Sequence, residues 1–167
     1  MKYIKIFEKF RMERDLKKYR IFDYTINDDY SIDVNGNVSI QGLSLKEIPF
    51  KFNRVTGHFI CFNNKLATLA GSPYYVGGMF NCNNNNLVNL IGAPDEVEDD
   101  FVCTNNKLIS LEGCPKEIGG SLNCQYNKLT KLDTISNIKK DIYCGGNKID
   151  TNENGFDGWC GGEINNT

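Results

Sequence analysis

Along most of this chain apolar and polar residues recur at fixed places, and the recurrence is long. Phe101 opens the stretch FVCTNNKLISLEGCPKEIGGS; Phe80 opens FNCNNNNLVNLIGAPDEVEDD and Phe59 opens FICFNNKLATLAGSPYYVGGM, with LNCQYNKLTKLDTISNIKKD following from Leu122. Cysteine falls at 61, 82, 103, 124 and 144, a step of 21 residues three times and then 20. Asparagine keeps the same beat at 64, 85, 106, 127 and 147, followed two places later by Leu66, Leu87, Leu108, Leu129 and Ile149. A fixed period of this length marks a stacked array in which each repeat buries its apolar face only against its neighbours.

Within a repeat, Phe101 and Cys103 flank Val102, the two-residue alternation of a strand. Stacked repeats then form a parallel sheet, with the phenylalanine, the cysteine and the two leucines pointing into a shared interior. Cysteine serves there as a small apolar filler. The asparagine ends the strand, where its amide can satisfy backbone groups of its own turn and of adjacent repeats. Gly71-x-Pro73, Gly92-x-Pro94 and Gly113-x-Pro115 reverse the chain without a helix, and Gly77-Gly78 and Gly119-Gly120 allow a tight approach to the next strand. The predicted fold is a β-dominated solenoid in one folding unit: residues 1–30 are an N-terminal helical cap and lead-in, and 31–167 are the solenoid.

The ends depart from the beat. Residues 1 to about 22 predict a helix with an imperfect apolar face of Ile4, Phe7, Phe10, Met12, Leu16 and Tyr19, suited to covering the first repeat. Residues 30–40, YSIDVNGNVSI, predict a hairpin around Asn35-Gly36-Asn37, with Val34 opposite Val38 and Ile32 opposite Ile40. Its second strand doubles as the first repeat, since Val38, Ile40, Leu45, Ile48 and Val55 precede Phe59, Cys61, Leu66, Leu69 and Val76 by one period. That repeat carries Leu43 in place of the asparagine. At the other end Cys160-Gly161-Gly162-Glu163-Ile164 copies Ile118-Gly119-Gly120-Ser121-Leu122, so Ile164–Asn166 reads as a closing strand with Phe156 and Trp159 over the core.

The pattern F-x-C-x-x-N-x-L-x-x-L resembles the leucine-rich repeat, L-x-x-L-x-L-x-x-N/C-x-L. The short back with Gly-x-Pro is similar to the brief repeats of bacterial effector ubiquitin ligases. It is more similar still to repeat proteins with N-N-K-L and P-x-x-V-G-G units encoded by bacteriophages and bacteria. The resemblance spans about residues 32–166. It implies a leucine-rich-repeat-like parallel β-sheet and protein binding as the use, and it brings no catalytic residue, with no ligase domain following.

Composition narrows the chemistry. In 167 residues the formal net charge is −2, which gives no global field for nucleic acid or for an anionic membrane. No apolar run approaches a membrane span, and the charged start lacks the core of a signal peptide. Seven cysteines, an odd number with five on the repeat, argue for a reducing cytoplasm rather than a disulfide framework. Single cysteines a period apart do not converge as zinc ligands do. Cys114, on a turn, is the candidate reactive thiol. Asp150, Asn152, Asn154 and Gly155 match the start of a calcium loop, but Gly161 stands where its bidentate glutamate belongs. Lys65, Lys107, Lys128 and Lys148 form a stripe without the interleaved arginines and aromatics of a nucleic-acid track. No cofactor or metal is expected.

The outward strand positions form three rows: Asn37, His58, Met79, Asp100, Ser121 and Asp141; Ser39, Ile60, Asn81, Val102, Asn123 and Tyr143; and Gln41, Phe62, Asn83, Thr104, Gln125 and Gly145. Most are small and polar. The exception is an apolar group on adjacent strands, so His58, Ile60, Phe62, Met79, Asn81, Val102 and Tyr143 are the candidate partner-binding residues. The competing reading is that the N-terminal helix or the Phe50–Phe52 loop folds over them. His58, the sole histidine, has no nucleophile or carboxylate beside it, so no triad is expected. The sequence therefore predicts a non-catalytic protein-interaction module, monomeric when unbound. A self-associating structural component is the alternative, to be separated from it by sedimentation.

Overall fold

The computed structural model describes residues 2–132 and 137–149. The chain forms a β-solenoid of about five turns, each turn contributing one short strand to each of two parallel sheets. The front sheet holds β3 (Val38–Ser39), β5 (Phe59–Ile60), β7 (Phe80–Asn81), β9 (Phe101–Val102), β11 (Leu122–Asn123) and β13 (Ile142–Tyr143). The back sheet holds β2 (Ile32–Val34), β4 (Phe52–Val55), β6 (Tyr75–Val76), β8 (Glu96–Val97), β10 (Glu117–Ile118) and β12 (Asn137–Ile138), with β1 (Tyr24–Ile26) on its edge. Register follows the period: Val38, Phe59, Phe80, Phe101, Leu122 and Ile142 lie side by side. On the back, Val55, Val76, Val97, Ile118 and Ile138 do the same.

The interior between the sheets is a set of columns. Phe59, Phe80 and Phe101 stack with ring centroids 5.3 Å apart and planes within 5°. Cys61, Cys82, Cys103 and Cys124 are buried beside them, with Cys144 next in line, and Leu66, Leu69, Leu87, Leu90, Leu108 and Leu111 fill the remaining wall. Burial in this apolar column pushes every one of the first four thiols well up from its ordinary value, Cys124 to about 12, and for Cys82, Cys103 and Cys124 neighbouring thiols reinforce the effect. The back is therefore a second sheet in its own right, where the sequence had suggested only turns and double glycines. The residue that makes it so is the valine or isoleucine of the V-G-G unit.

The buried asparagines lock successive turns together. The Asn85 amide donates to the carbonyls of Cys61 and Cys82, at 3.1 and 3.0 Å, and its oxygen accepts the Leu66 N–H at 3.0 Å. Asn106 and Asn127 repeat the arrangement one and two turns later. Each asparagine thus completes the turn before its own. Leu43 departs from the column because its turn is the first and has no preceding strand to complete; its own N–H is taken by Asn64 at 3.0 Å.

The helix α1 spans Lys2–Lys18, shorter at its end than the sequence suggested. It stops in a Schellman arrangement: Arg20 adopts φ +56°, its N–H reaches the Lys17 carbonyl, and the Ile21 N–H reaches that of Leu16. Leu16 and Ile21, which this motif brings together, are fully buried against the first turn, and Met12 and Tyr19 pack beside them. Phe7 and Phe10 face away and are exposed. The cap is therefore made by the last two turns of α1 and the segment after it. An edge-to-face chain from Tyr19 through Phe50 and Phe52 to Phe59 carries the contact into the phenylalanine column.

The predicted hairpin at 30–40 is displaced. The antiparallel pair is β1 with β2, Tyr24 opposite Val34 and Ile26 opposite Ile32, whereas β2 and β3 lie in different sheets. Asn35-Gly36-Asn37 is a corner between them, equivalent by period to Thr56-Gly57-His58 and Gly77-Gly78-Met79. Ile32, Val34, Val38 and Ile40 are all buried as expected, but they come from two sheets that share one interior rather than from one face of a hairpin. At these corners the turns approach so closely that a side chain on Gly77 or Gly119 would collide with the carbonyl of Thr56 or Glu98 one turn earlier. The closing strand expected at 164–166, its cover of Phe156 and Trp159, and the calcium-like stretch 150–155 lie outside the described residues.

Candidate functional site

The outward side of the front sheet carries the residues singled out from the sequence. Pairing places Ser39, Ile60, Asn81, Val102, Asn123 and Tyr143 in one line across successive strands. Ile60, Phe62, Met79, Asn81 and Val102 are half-buried, each flanked by its neighbours in the sheet. The structure therefore brings His58, Ile60, Phe62, Met79, Asn81 and Val102 together on β5, β7 and β9 and the corners beside them. Tyr143 stands apart, two strands beyond Val102. The Phe50 and Phe52 rings, a possible cover for this group, are turned into the stack between Tyr19 and Phe59 instead.

His58 has a structural task. Its Nδ1 accepts the Met79 N–H at 2.8 Å, while its own N–H donates to Asn37 Oδ1 at 2.8 Å. Farther along the same row, Asp100 Oδ1 accepts the Ser121 N–H at 2.7 Å. The first outward row is thus a bracket in which a polar side chain of one turn holds the corner amide of the next. An imidazole accepting at Nδ1 carries its proton on Nε2. The Tyr143 hydroxyl donates to Asp141 at 3.3 Å, and the nearby Asp141 charge, together with desolvation and that hydrogen bond, raises its phenol above the ordinary value.

The two sheets differ in the charge they present. The back face carries Arg54, Tyr75, Glu96 and Glu117 in one line, with the Arg54 guanidinium 3.7 Å from the Tyr75 ring centroid and Lys116 paired to Asp95 at 2.9 Å. On the front, His58, Asp100 and Asp141 are the ionisable residues of the first row, and the other two rows add only the phenol of Tyr143. A low density of charge around half-buried apolar groups is the composition of an interface centre. More exposed apolar residues lie elsewhere: Val88, Ile91 and Ile109 on the arc between the sheets, and Tyr74 at the back. Val88 and Ile109 lie between the two buried leucines of a repeat and Ile91 just after them, positions that could have been read from the same register.

Other candidate chemistry is placed as follows. Cys114 is half-buried and packs against the core, and burial pushes its thiol up to about 12, which works against the thiolate character that its turn position suggested. Lys65, Lys107, Lys128 and Lys148 are exposed while their amides join turn to turn, so they form a solvated rim. Among the described residues no group of three or more His, Cys, Asp or Glu side chains is placed to hold a metal ion, and no helix is long and apolar enough to cross a membrane. Comparison with protein-family models, with curated proteins and with solved structures finds no match to this chain.

Proposed function

We propose that this chain is a non-catalytic protein-interaction module that binds a protein partner through the outward face of its front sheet. The observation that carries the reading is the group His58, Ile60, Phe62, Met79, Asn81 and Val102, weakly charged and set on adjoining strands of a rigid stack; Tyr143 extends it at the far end. A face held in place by ladder bonds on both sides loses little entropy on binding. The likeness to short leucine-rich repeats supports the same use. Under that likeness the chain is a phage or bacterial protein, monomeric when free, that meets a host-encoded partner in the cytoplasm. The reading requires no cofactor, nucleic acid or membrane.

The test is co-purification from lysate with the wild type beside an Ile60→Asp, Phe62→Asp double variant. Loss of a partner that the wild type retains is the expected result, and equal recovery by both would remove the front face from consideration. A second reading, a self-associating structural component, is favoured by the stacked turns themselves, because a second copy can continue the ladder at an end. Sedimentation of the isolated protein across concentration separates the two: a binding module stays monomeric, and a scaffold component assembles.

A further inference from the structure

The two sheets end differently beside the helix. On the back, β1 pairs along β2 and closes the edge. On the front, β3 is the last strand, and among the described residues no strand lies beyond it. The amides of Val38, Ile40 and Gly42 donate to the carbonyls of His58, Ile60 and Phe62, at 2.8, 2.8 and 3.0 Å. Ladder groups of a parallel strand alternate in direction. The N–H and C=O groups of Asn37, Ser39 and Gln41 therefore point the other way, where the next strand would be. They open into a groove of about 510 Å³ whose opposite wall is Lys18, Tyr19 and Arg20, with Leu43 at one end. The Schellman turn holds that wall in place.

We propose that this groove receives an extended acidic segment of a partner protein, added as a further strand beside β3. These outward ladder groups, which pair with no strand among the described residues, supply the backbone recognition of strand addition. Charge selects the sequence: residues 2–20 hold eight lysines and arginines against three acids, in a chain whose net charge is −2. Lys18 and Arg20 flank the open edge, so alternate carboxylates of the added strand face them. Leu43, 50% exposed, offers an apolar contact to a side chain between the carboxylates. This site is separate from the front face, since it uses the end of the stack rather than its surface.

The probe is a fluorescent eight-residue peptide of alternating glutamate and valine, titrated against the full chain. It is expected to bind saturably, while versions with lysine for glutamate or with proline at every second place do not bind. On binding, the amides of Ser39 and Gln41 gain protection from hydrogen exchange. Ser39→Pro removes an outward donor that no ladder partner uses, and is expected to weaken binding at least about tenfold with the melting curve preserved. Lys18→Glu with Arg20→Glu is expected to do the same, and it keeps the test open should the proline variant fold poorly. Absence of saturable binding below about 1 mM, undiminished binding by either variant, or protection confined to other strands would overturn the proposal. So would concentration-dependent assembly of the wild type that Ser39→Pro abolishes, which would give the edge to a second copy.

Discussion

At the scale of single residues, the buried asparagine does more than end a strand. Asn106 bonds two backbone groups of the preceding turn, Leu87 N–H and Cys82 C=O, and two within its own, the carbonyls of Cys103 and Thr104, all in the buried interior. Asn106→Leu would strand a donor and at least one carbonyl of a neighbouring turn, and at about 1–3 kcal/mol for each buried unsatisfied group a loss of about 3–5 kcal/mol is expected in denaturant unfolding. The reverse change at the start, Leu43→Asn, has no preceding strand to serve and is expected to alter stability by less than about 0.5 kcal/mol. A second column is defined by backbone angle: Gly42, Asn63, Asn84, Asn105, Tyr126 and Gly146 all have positive φ, from 50° to 73°. Tyr126 is the misfit, a bulky residue in the left-handed region. Tyr126→Asn restores the residue used at three other turns and is expected to raise stability by about 0.5–1 kcal/mol, read from the shift in the unfolding midpoint.

At the scale of elements, the period made much of this legible. Every front strand, the interior columns and the outward rows follow from counting in steps of 21, with 20 for the last, because residues one period apart lie side by side. The spacing of Val34 and Val38, the same as that of Val55 and Phe59, also marks the corner at Asn35-Gly36-Asn37, yet Asn-Gly between alternating apolar residues is a stronger local signal and points to a hairpin. The back sheet was less visible, since each of its strands shows one buried residue beside polar ones. The helix was half legible: Met12, Leu16 and Tyr19 share one side, but Phe7 and Phe10 looked like part of that face and are not. Leu16→Ala is accordingly expected to cost about 2–5 kcal/mol, and Phe7→Ala or Phe10→Ala about 0.5 kcal/mol or less, measured by thermal or denaturant unfolding. The open groove beside β3 had no sequence signal, because it depends on where the chain turns after Lys18.

At the scale of the whole molecule, the solenoid is held by nearest-neighbour contacts repeated along one axis, and its response to alkali should reflect that. Cys61, Cys82, Cys103, Cys114 and Cys124 all have thiols raised by burial. A raised acid stays protonated in the folded chain after its unfolded counterpart has ionised. The unfolded state then binds fewer protons, so stability falls as pH rises above about 9, by about 1.4 kcal/mol per pH unit for each thiol. For Cys114 and Cys124 the loss continues to about pH 12. Denaturant unfolding at pH 7, 9 and 10.5 measures the slope, and Cys103→Ala is expected to lessen it by about one thiol's share. A slope unchanged by that substitution would show that the column is not sealed.

Because each asparagine finishes the turn that precedes it, the stack has a direction that matches synthesis. A turn leaving the ribosome stays open on one side until the next 21 residues arrive with the amide that seals it. The helix, which caps the core, and the β1–β2 hairpin, which closes the back edge, precede all of these turns in the chain. Assembly can therefore proceed as a zipper drawn from the amino terminus, with only the newest turn unfinished at any moment.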